Sequence, residues 1–160
     1  MRGCGVNHLE DAEIYGKHAV DLIRYATVLV GPDQAPDVVS TVVLRVLKRR
    51  HLSDLENPRA YLFRSVLNEA RSWGRTRRSK SLAISRLVED RSSHDQESLV
   101  DRLTAANAVW SLPPRHRSAA YLVYWLDLPL AEAAEQMGVS TGAVKRYIHE
   151  VRQHVRKEMS

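Results

Sequence analysis

The sequence predicts an all-α protein of two small helical domains joined by a flexible linker. Apolar residues recur every three or four positions along most of the 160 residues, which is the period of a helix with one buried face. Gly and Pro interrupt these stretches, and a polar segment with several serines separates the two halves. We therefore predict a first domain at 12–79, a linker at 80–98 and a second domain at 99–159.

Three helices are predicted in the first half. Residues 1 to about 10 are expected to form a loose tail, and the first helix follows at 12–30, ending at Gly31-Pro32-Asp33. The second helix, at 35–50, is rich in valine, so that taken alone it could be a strand. Its length and the basic residues off its apolar side favour a helix. A polar loop at 51–57 leads to the third helix, which begins at Pro58 and is expected to end near Arg78.

The second half is predicted to begin with helices at 99–110 and 115–126, which Pro113-Pro114 separates. Asp127-Leu128-Pro129 then leads into a pair of helices that reaches residue 158. Four aromatic residues are expected in the core of this domain rather than in a functional site: Trp110, Tyr121, Tyr124 and Trp125.

The last pair of helices has the layout of a helix-turn-helix. Its first helix ends at Gly138, where a left-handed residue is least strained as glycine, and Ser140 or Thr141 can cap the second helix. Apolar residues recur on the second helix at spacings of four, three and four, and basic residues lie off that stripe. In such a motif the second helix enters the major groove, which makes duplex DNA the predicted ligand. The alternative is an ordinary helical hairpin with a solvated basic face.

Composition excludes several classes of protein. The net charge of +5 favours a polyanionic partner, and Cys4 is the only cysteine, so neither an internal disulfide nor a multi-cysteine metal site can form. No apolar run approaches the length of a membrane span and the N-terminus lacks a signal core, so we expect a cytoplasmic protein. No HExxH motif, phosphate-binding glycine loop or nucleophile elbow occurs. We predict no catalytic residues, no metal and no cofactor.

Motifs in both halves resemble those of one known family. In the first half they are Ala35-Pro36-Asp37-Val38-Val39, Asn57-Pro58-Arg59-Ala60-Tyr61-Leu62 and the basic end of the third helix. In the second half Leu112-Pro113 is followed by Arg117, and the last helix carries Gly142, Val144, Lys145, His149 and Arg152. The chain thus resembles the extracytoplasmic-function (ECF) group of the sigma-70 family of bacterial RNA polymerase sigma factors. It departs from the family pattern at Ser40, Thr41, Ser72, Ala143, Arg146 and Tyr147.

The resemblance implies a function in promoter recognition. Region 2, in the first half, would bind the clamp of the largest polymerase subunit and the −10 element. Region 4, in the second half, would bind the flap of the second-largest subunit and the −35 element. Core RNA polymerase and promoter DNA are therefore the implied partners, and the protein would supply promoter selection and strand opening. An anti-sigma factor is common in the family, and no single residue of this chain indicates one.

Three sets of site residues follow from this resemblance and from residue chemistry. Basic, hydroxyl and backbone N–H groups at the start of the last helix are expected at the −35 element: Thr141, Gly142, Lys145, Arg146, His149 and Arg152. Polar and basic groups of the loop and third helix are expected at the −10 element and in melting: His51, Ser53, Asp54, Asn57, Asn68, Arg71, Arg75, Arg77 and Arg78. The exposed side of the second helix is expected to bind polymerase through Asp37, Leu44, Arg45, Lys48 and Arg49.

Two other functions remain as alternatives. A stand-alone helix-turn-helix regulator would use its first domain to bind a ligand or to dimerise, but it has no reason to carry the segment from 57 to 78. A catalytic nucleic-acid enzyme such as a recombinase would cleave or join DNA without polymerase. Transcription with sigma-free core polymerase distinguishes the three.

Overall fold

The computed structural model describes residues 4–84 and 107–160, with side chains from residue 7 to 75 and from 107 onward. Within these ranges the chain is helical and contains no strand, which confirms the all-α prediction. The first half contains α1 (Cys4–Val30), α2 (Ala35–Leu47), a single 3₁₀ turn (Leu52–Asp54) and α3 (Pro58–Ile84). The second half contains α4 (107–111), α5 (Pro114–Ala120) followed by one π turn (Tyr121–Trp125), α6 (Leu130–Met137) and α7 (Thr141–Glu158).

The ends of three helices differ from the prediction. The expected loose tail is wrong from Cys4 onward, because α1 begins there and Asp11 is buried against the segment that follows α2. Helix α2 ends three residues early, at Leu47. Helix α3 passes through Gly74 and continues to Ile84, so the first residues of the predicted linker are helical. The rest of that linker, 85–98, and the residues up to 106 lie outside the described part of the chain.

Helices α1, α2 and α3 pack around one apolar core. The valines that made α2 ambiguous are its buried face, since Val38, Val39, Val42, Val43 and Val46 are each at most 9% exposed. Their burial outweighs the small loss of helix propensity that β-branched side chains cause. Tyr25 of α1 stacks on Phe63 of α3 with ring centroids 4.7 Å apart, and both side chains are fully buried.

The prediction that four aromatic residues form the core of the second half is wrong for three of them. Tyr121 is buried, but Trp110, Tyr124 and Trp125 are 45%, 54% and 76% exposed. For Tyr124 and Trp125 the cause lies in the π turn, which closes with the Leu126 N–H donating to the Tyr121 carbonyl at 3.0 Å. A π turn adds a residue to the helical turn and so rotates the following side chains away from the face that an α-helix would bury.

The two halves pack against each other and share a continuous core, an arrangement that the sequence did not predict. The Tyr25 hydroxyl bonds the Ser118 hydroxyl at 2.5 Å in a buried contact between α1 and α5. Burial raises the pKa of Tyr25 far above its ordinary value, and its bond to Ser118 opposes that rise only in part.

Arg117 is a second buried link between the halves. It donates to the Leu29 carbonyl at the end of α1 at 2.7 Å and to the carbonyls of Trp110 and Leu112, and its guanidinium lies 5.0 Å from the centre of the Trp110 ring. Burial lowers the pKa of Arg117, and three carbonyl acceptors bonded to its two terminal nitrogens replace part of the lost hydration. Among the helices that the structure describes, none has the length and apolarity needed to cross a lipid bilayer.

Candidate nucleic-acid interface

The turn between α6 and α7 has the geometry predicted for a helix-turn-helix. Gly138 adopts φ +67° and its N–H donates to the end of α6, while the Val139 N–H reaches the Ala134 carbonyl at 3.0 Å. Ala134 is buried where α6 contacts α7. Of the two candidate caps the structure uses Ser140, whose hydroxyl accepts the Ala143 N–H at 3.1 Å.

A side chain at position 138 would also have to displace Arg64. A Cβ atom at this position would lie 2.7 Å from the Cδ and Nε atoms of Arg64, which reaches across from α3. The same Arg64 side chain donates from its terminal nitrogen to the Glu135 carbonyl at 3.1 Å. The turn of the helix-turn-helix is therefore packed directly against α3 of the first half.

Helix α7 separates an apolar face from a basic one. Val144, Tyr147, Ile148 and Val151 are buried, and Tyr147 packs edge-on against the His116 ring. The exposed basic residues on the opposite face recur at spacings of four, three and four. Residues at these spacings lie above one another along a helix, so the basic residues form one stripe. These are Lys145, His149, Arg152 and Arg156.

The structure places every residue expected at the −35 element on the exposed surface of α7. Thr141 and Gly142 form its first turn, and Arg146 lies beside the basic face with its guanidinium 5.4 Å from the Tyr147 ring centre. His149 bonds Gln153 at 2.9 Å, and the Arg152 Nε–H donates to the Tyr124 hydroxyl at 2.7 Å. Arg152 is thus oriented by an aromatic residue that lies outside the helix.

An acidic residue, Glu150, lies among these bases in the middle of α7. Glu150 bonds the Nε2 atom of His116, and this bond, assisted by nearby positive charge, lowers the pKa of the Glu150 carboxyl. The charge of Glu150 is therefore held toward α5 rather than toward the basic face.

The loop before α3 is fixed by contacts at both ends. At its start the Asp11 carboxylate accepts the Leu52 N–H at 2.7 Å and bonds His51 Nδ1 at 2.8 Å. At its end the Asn57 side chain accepts the Ala60 N–H at 3.0 Å and so caps α3. Ser53 and Asp54, between these anchors, are exposed. The sequence assigned His51 to DNA, whereas the structure shows its ring bonded to α1.

Asn57 also contacts the helix-turn-helix. Its Nδ2 atom donates to Glu135 Oε1 of α6 at 3.1 Å. Both residues line a cleft of about 550 Å³ between α3, the loop and α6, together with Tyr61 and Arg64. A residue expected at the −10 element is therefore bonded, in this structure, to the motif expected at the −35 element.

The remaining residues expected at the −10 element lie along α3. Asn68 and Arg75 are exposed and Arg71 is half-buried. Burial lowers the pKa of Arg71, and the positive charges of Arg115 and Arg75 lower it further. Arg77 and Arg78 fall within α3, but their side chains lie outside the described part of the structure.

The residues expected to bind polymerase lie on the exposed face of α2 and, for Lys48 and Arg49, in the turn that follows it. Asp37, Arg45, Lys48 and Arg49 are exposed, and so is Leu44, at 60%, although it could have belonged to the core. Arg45 forms a 2.7 Å ion pair with Glu69 of α3.

Sequence reasoning missed three residues that shape these surfaces: Asp11, Arg64 and Glu135. Asp11 carried a usable signal, because it lies seven and eleven residues before His18 and Leu22 and so falls on the buried face of α1. A carboxylate on a buried face predicts a bonded partner. Arg64 and Glu135 lie on exposed faces of their helices, so nothing in their spacing indicated that they would meet.

A metal site is not formed by the residues described here, since they contain no group of three or more His, Cys, Asp or Glu side chains able to hold an ion.

Comparisons with known proteins agree with this geometry. Residues 104–155 match the family model for sigma-70, region 4, a range that includes α6 and all but the last three residues of α7. The chain is 29% identical over 153 residues to the RNA polymerase sigma-E factor of Streptomyces antibioticus, covering 94% of this chain and 85% of the relative. It is 31% identical over 143 residues to the ECF RNA polymerase sigma factor SigL of Mycobacterium tuberculosis, covering 85% of this chain and 81% of the relative. The chain belongs to the ECF sigma factors.

Solved structures show the same fold for this ECF sigma factor. The sigma factor RpoE of Bartonella quintana, in complex with the anti-sigma factor NepR, matches 92% of this chain and 96% of RpoE with a TM-score of 0.65 and 20% identity. CnrH, in complex with the cytosolic domain of CnrY, matches 93% of this chain and 86% of CnrH with a TM-score of 0.61 and 23% identity. The region 4 match and the sigma-factor relatives, together with this shared fold, confirm the resemblance inferred from sequence motifs.

Proposed function

We propose that this ECF sigma factor selects promoters by reading the −35 element with α7 and the −10 element with the 51–57 loop and α3. Its family relationship makes it a transcription initiation factor that acts with core RNA polymerase. Polymerase supplies the chemistry, and we assign no catalytic residue to this chain. Because the promoter and polymerase lie in the bacterial cytoplasm, we propose that it acts there.

The observation that carries the proposal is the division of α7 into a buried apolar face and an exposed basic one. Lys145 and His149, nearest the start of the helix, are the candidates for base edges in the major groove, with Arg146 beside them. Arg152 and Arg156 lie further along the same face and are assigned to phosphates. The N–H groups of Thr141 and Gly142 at the positive end of the helix suit a further phosphate.

For the −10 element we propose the cleft beside Asn57. Strand opening exposes a base that must be held in a pocket with hydrogen-bonding groups, and Asn57 supplies both a donor and an acceptor there. The Tyr61 ring and the Arg64 guanidinium offer surfaces on which a base can stack. Ser53, Asp54, Asn68, Arg71 and Arg75 are assigned to the same strand, together with Arg77 and Arg78.

For polymerase we propose two surfaces. The exposed face of α2, with Asp37, Leu44 and Arg45, is assigned to the clamp together with Lys48 and Arg49 of the turn that follows it. The flap is assigned to an apolar cleft of about 590 Å³ that Tyr124, Trp125, Val151 and Val155 line and Arg152 and Arg156 border. Exposed aromatic side chains next to arginine are typical of protein interfaces.

An anti-sigma factor is a further proposed partner. The structurally similar RpoE was solved in complex with the anti-sigma factor NepR. In this chain the halves pack through Arg117 and the Tyr25–Ser118 bond, so a partner that stabilises this packing would keep the two DNA-reading elements together.

In vitro transcription tests the proposal. Core polymerase without sigma is combined with the full chain on a fragment library of the host genome, and transcript starts are mapped. We expect starts that share two upstream elements, and their loss with a triple Lys145→Ala, Arg146→Ala, His149→Ala variant that still binds core polymerase. No promoter-dependent transcript, together with no binding to core polymerase, would contradict the proposal and leave the stand-alone regulator.

A further inference from the structure

Asp11 places a charged carboxylate on the buried face of α1, and the packing of the helix does not explain why a charge is there. Asp11 lies on the inner face of α1 and is 4% exposed. Moving a carboxylate out of water costs several times more free energy than moving a neutral polar group, unless hydrogen bonds replace the lost hydration. An apolar side chain would serve the packing of α1 better, so the partners of Asp11 indicate what the carboxylate does there.

All the bonds of Asp11 go to one segment, the 3₁₀ turn that opens the loop before α3. Its Oδ1 atom accepts the Leu52 N–H at 2.7 Å and lies 3.4 Å from the Ser53 nitrogen, and its Oδ2 atom bonds His51 Nδ1 at 2.8 Å. Burial alone would raise the pKa of Asp11, but the bonds from His51 and the two backbone N–H groups lower it, so the carboxylate is ionised. One side chain thus fixes three consecutive residues.

The rest of the loop is built on this anchor. The fully buried Leu52 side chain inserts into the core, and the turn closes through the Asp54 N–H on the His51 carbonyl at 3.2 Å. With its backbone fixed from 51 to 54 and Asn57 capping α3, the loop has few conformations left. Ser53, Asp54 and Asn57, which are assigned above to the −10 element, therefore have defined positions before DNA arrives.

We propose that Asp11 is a positioning residue for −10 recognition: through the backbone of residues 51–53 it fixes the loop in the conformation that reads the displaced strand. This inference rests on the proposed function of that loop. Asp11 itself touches no DNA, since it is buried beneath the turn. A loop that is preorganised in this way discriminates between bases, because a wrong base cannot be accommodated by rearrangement.

The test measures base discrimination rather than activity alone. A promoter mapped with the wild-type chain and core polymerase is compared with the same promoter carrying one substitution at a time in the −10 element. For the wild type we expect each deleterious substitution to lower transcription about tenfold. For Asp11→Ala we expect this ratio to fall to about twofold, while affinity for core polymerase and for a −35 duplex is unchanged. Glu10→Ala, an exposed neighbour on α1, should behave as the wild type.

Hydrogen exchange provides an independent measurement on the protein alone. We expect the Leu52 and Ser53 amides to exchange faster in Asp11→Ala than in the wild type, with smaller effects in Asp11→Asn, which keeps an acceptor oxygen but loses the charge. If Asp11→Ala fails to fold, Asp11→Asn is assayed for base discrimination at the −10 element and for amide exchange at Leu52 and Ser53. If both are the same as in the wild type, the inference is overturned.

The outcomes separate the two proposals. A folded Asp11→Ala variant with wild-type discrimination at the −10 element overturns the role of Asp11, even if its activity is low. No promoter-specific transcript from the wild type overturns the proposed function and the −10 role with it, whereas the exchange of the Leu52 amide still shows whether Asp11 anchors the loop.

Discussion

Asn57 and Glu135 are joined by a hydrogen bond of 3.1 Å between side chains that are 78 positions apart in the sequence. Asn57 caps the start of α3, and Glu135 belongs to the first helix of the helix-turn-helix. The bond closes one side of the cleft proposed to receive a −10 base, so DNA at that position has to displace Glu135 from the Asn57 amide.

Removing the Glu135 side chain is therefore expected to favour DNA binding by the free protein. For Glu135→Ala we predict a three- to tenfold gain in affinity for a single-stranded −10 oligonucleotide, which corresponds to the usual net worth of one hydrogen bond of roughly 1 kcal/mol. Fluorescence anisotropy without polymerase provides the measurement. Glu132→Ala removes an equal charge from an exposed position of α6 and controls for general electrostatic repulsion. Equal gains in both variants would contradict a specific role for the Asn57 contact.

Gly138 is expected to tolerate no side chain. Gly138→Ala forces a left-handed conformation on alanine and pushes its Cβ against Arg64, so we predict a loss of at least about 1–2 kcal/mol in the free energy of unfolding. Denaturant titration measures it. In the double variant with Arg64→Ala, the part of the loss that comes from the steric clash should be recovered. The part that comes from backbone strain should remain. As a control, Gly16→Ala in the middle of α1, with nothing within 4 Å of the new Cβ, should stabilise by about 0.5–1 kcal/mol.

The buried Tyr25–Ser118 bond is expected to stabilise the packing of the two halves. Tyr25→Phe leaves the Ser118 hydroxyl buried without its partner, which should cost about 1–3 kcal/mol of unfolding free energy. In the double variant with Ser118→Ala the loss should be smaller than the sum of the single losses. Tyr124→Phe, which removes an exposed hydroxyl, should change stability by less than about 0.5 kcal/mol. Additive losses at Tyr25 and Ser118 would show that the bond contributes nothing.

The Asp11–His51 pair is expected to make stability depend on pH. The bond to Asp11 raises the pKa of His51 above its ordinary 6.5, so this contribution is complete below pH 6.5 and is lost as pH rises through the folded value. The pKa of Asp11 is lowered below 3.8, so its contribution is present above that pH and is lost in stronger acid. The advantage of the wild type over His51→Ala should therefore be greatest between these two pH values.

Thermal or denaturant unfolding across this range checks the prediction. His8, whose ring lies 5.9 Å from that of His51, and Asp54 also face the imidazole and are kept intact in both proteins. When both proteins also carry Asp11→Asn, the difference in stability between the chain with His51 and the His51→Ala variant should become nearly independent of pH. A constant difference between wild type and His51→Ala from mildly acidic to mildly alkaline pH is the contrary result.

The basic face of α7 should divide into residues that set sequence preference and residues that bind phosphate. Arg156→Ala is expected to weaken binding to a −35 duplex equally for all sequences and to reduce the salt slope by about one. Lys145→Ala or His149→Ala should change the preferred base at a single position by about 1–3 kcal/mol. Binding titrations at several salt concentrations separate the two effects. Lys157 lies off this face, so Lys157→Ala should have little effect on the base preference or on the salt dependence of binding.

Local spacing in the sequence determined the helix-turn-helix of the second half. The helix-turn-helix, the glycine at its turn, the serine cap and the basic face of α7 all depend on residues within a few positions of one another. The same spacing placed Arg45 on the outer side of α2. Such features follow from helical period and end chemistry, which short stretches of sequence contain in full.

Only the tertiary structure decided how distant segments meet. The bonds of Asp11 to Leu52, of Asn57 to Glu135 and of Tyr25 to Ser118 join residues 41, 78 and 93 positions apart. Each depends on the relative placement of two helices, and helical periodicity shows which face of a helix is buried but not which helix covers it. For that reason the sequence predicted a promoter-reading motif in each half, while the packing of one against the other, and the anchoring of the loop by α1, emerged from the structure.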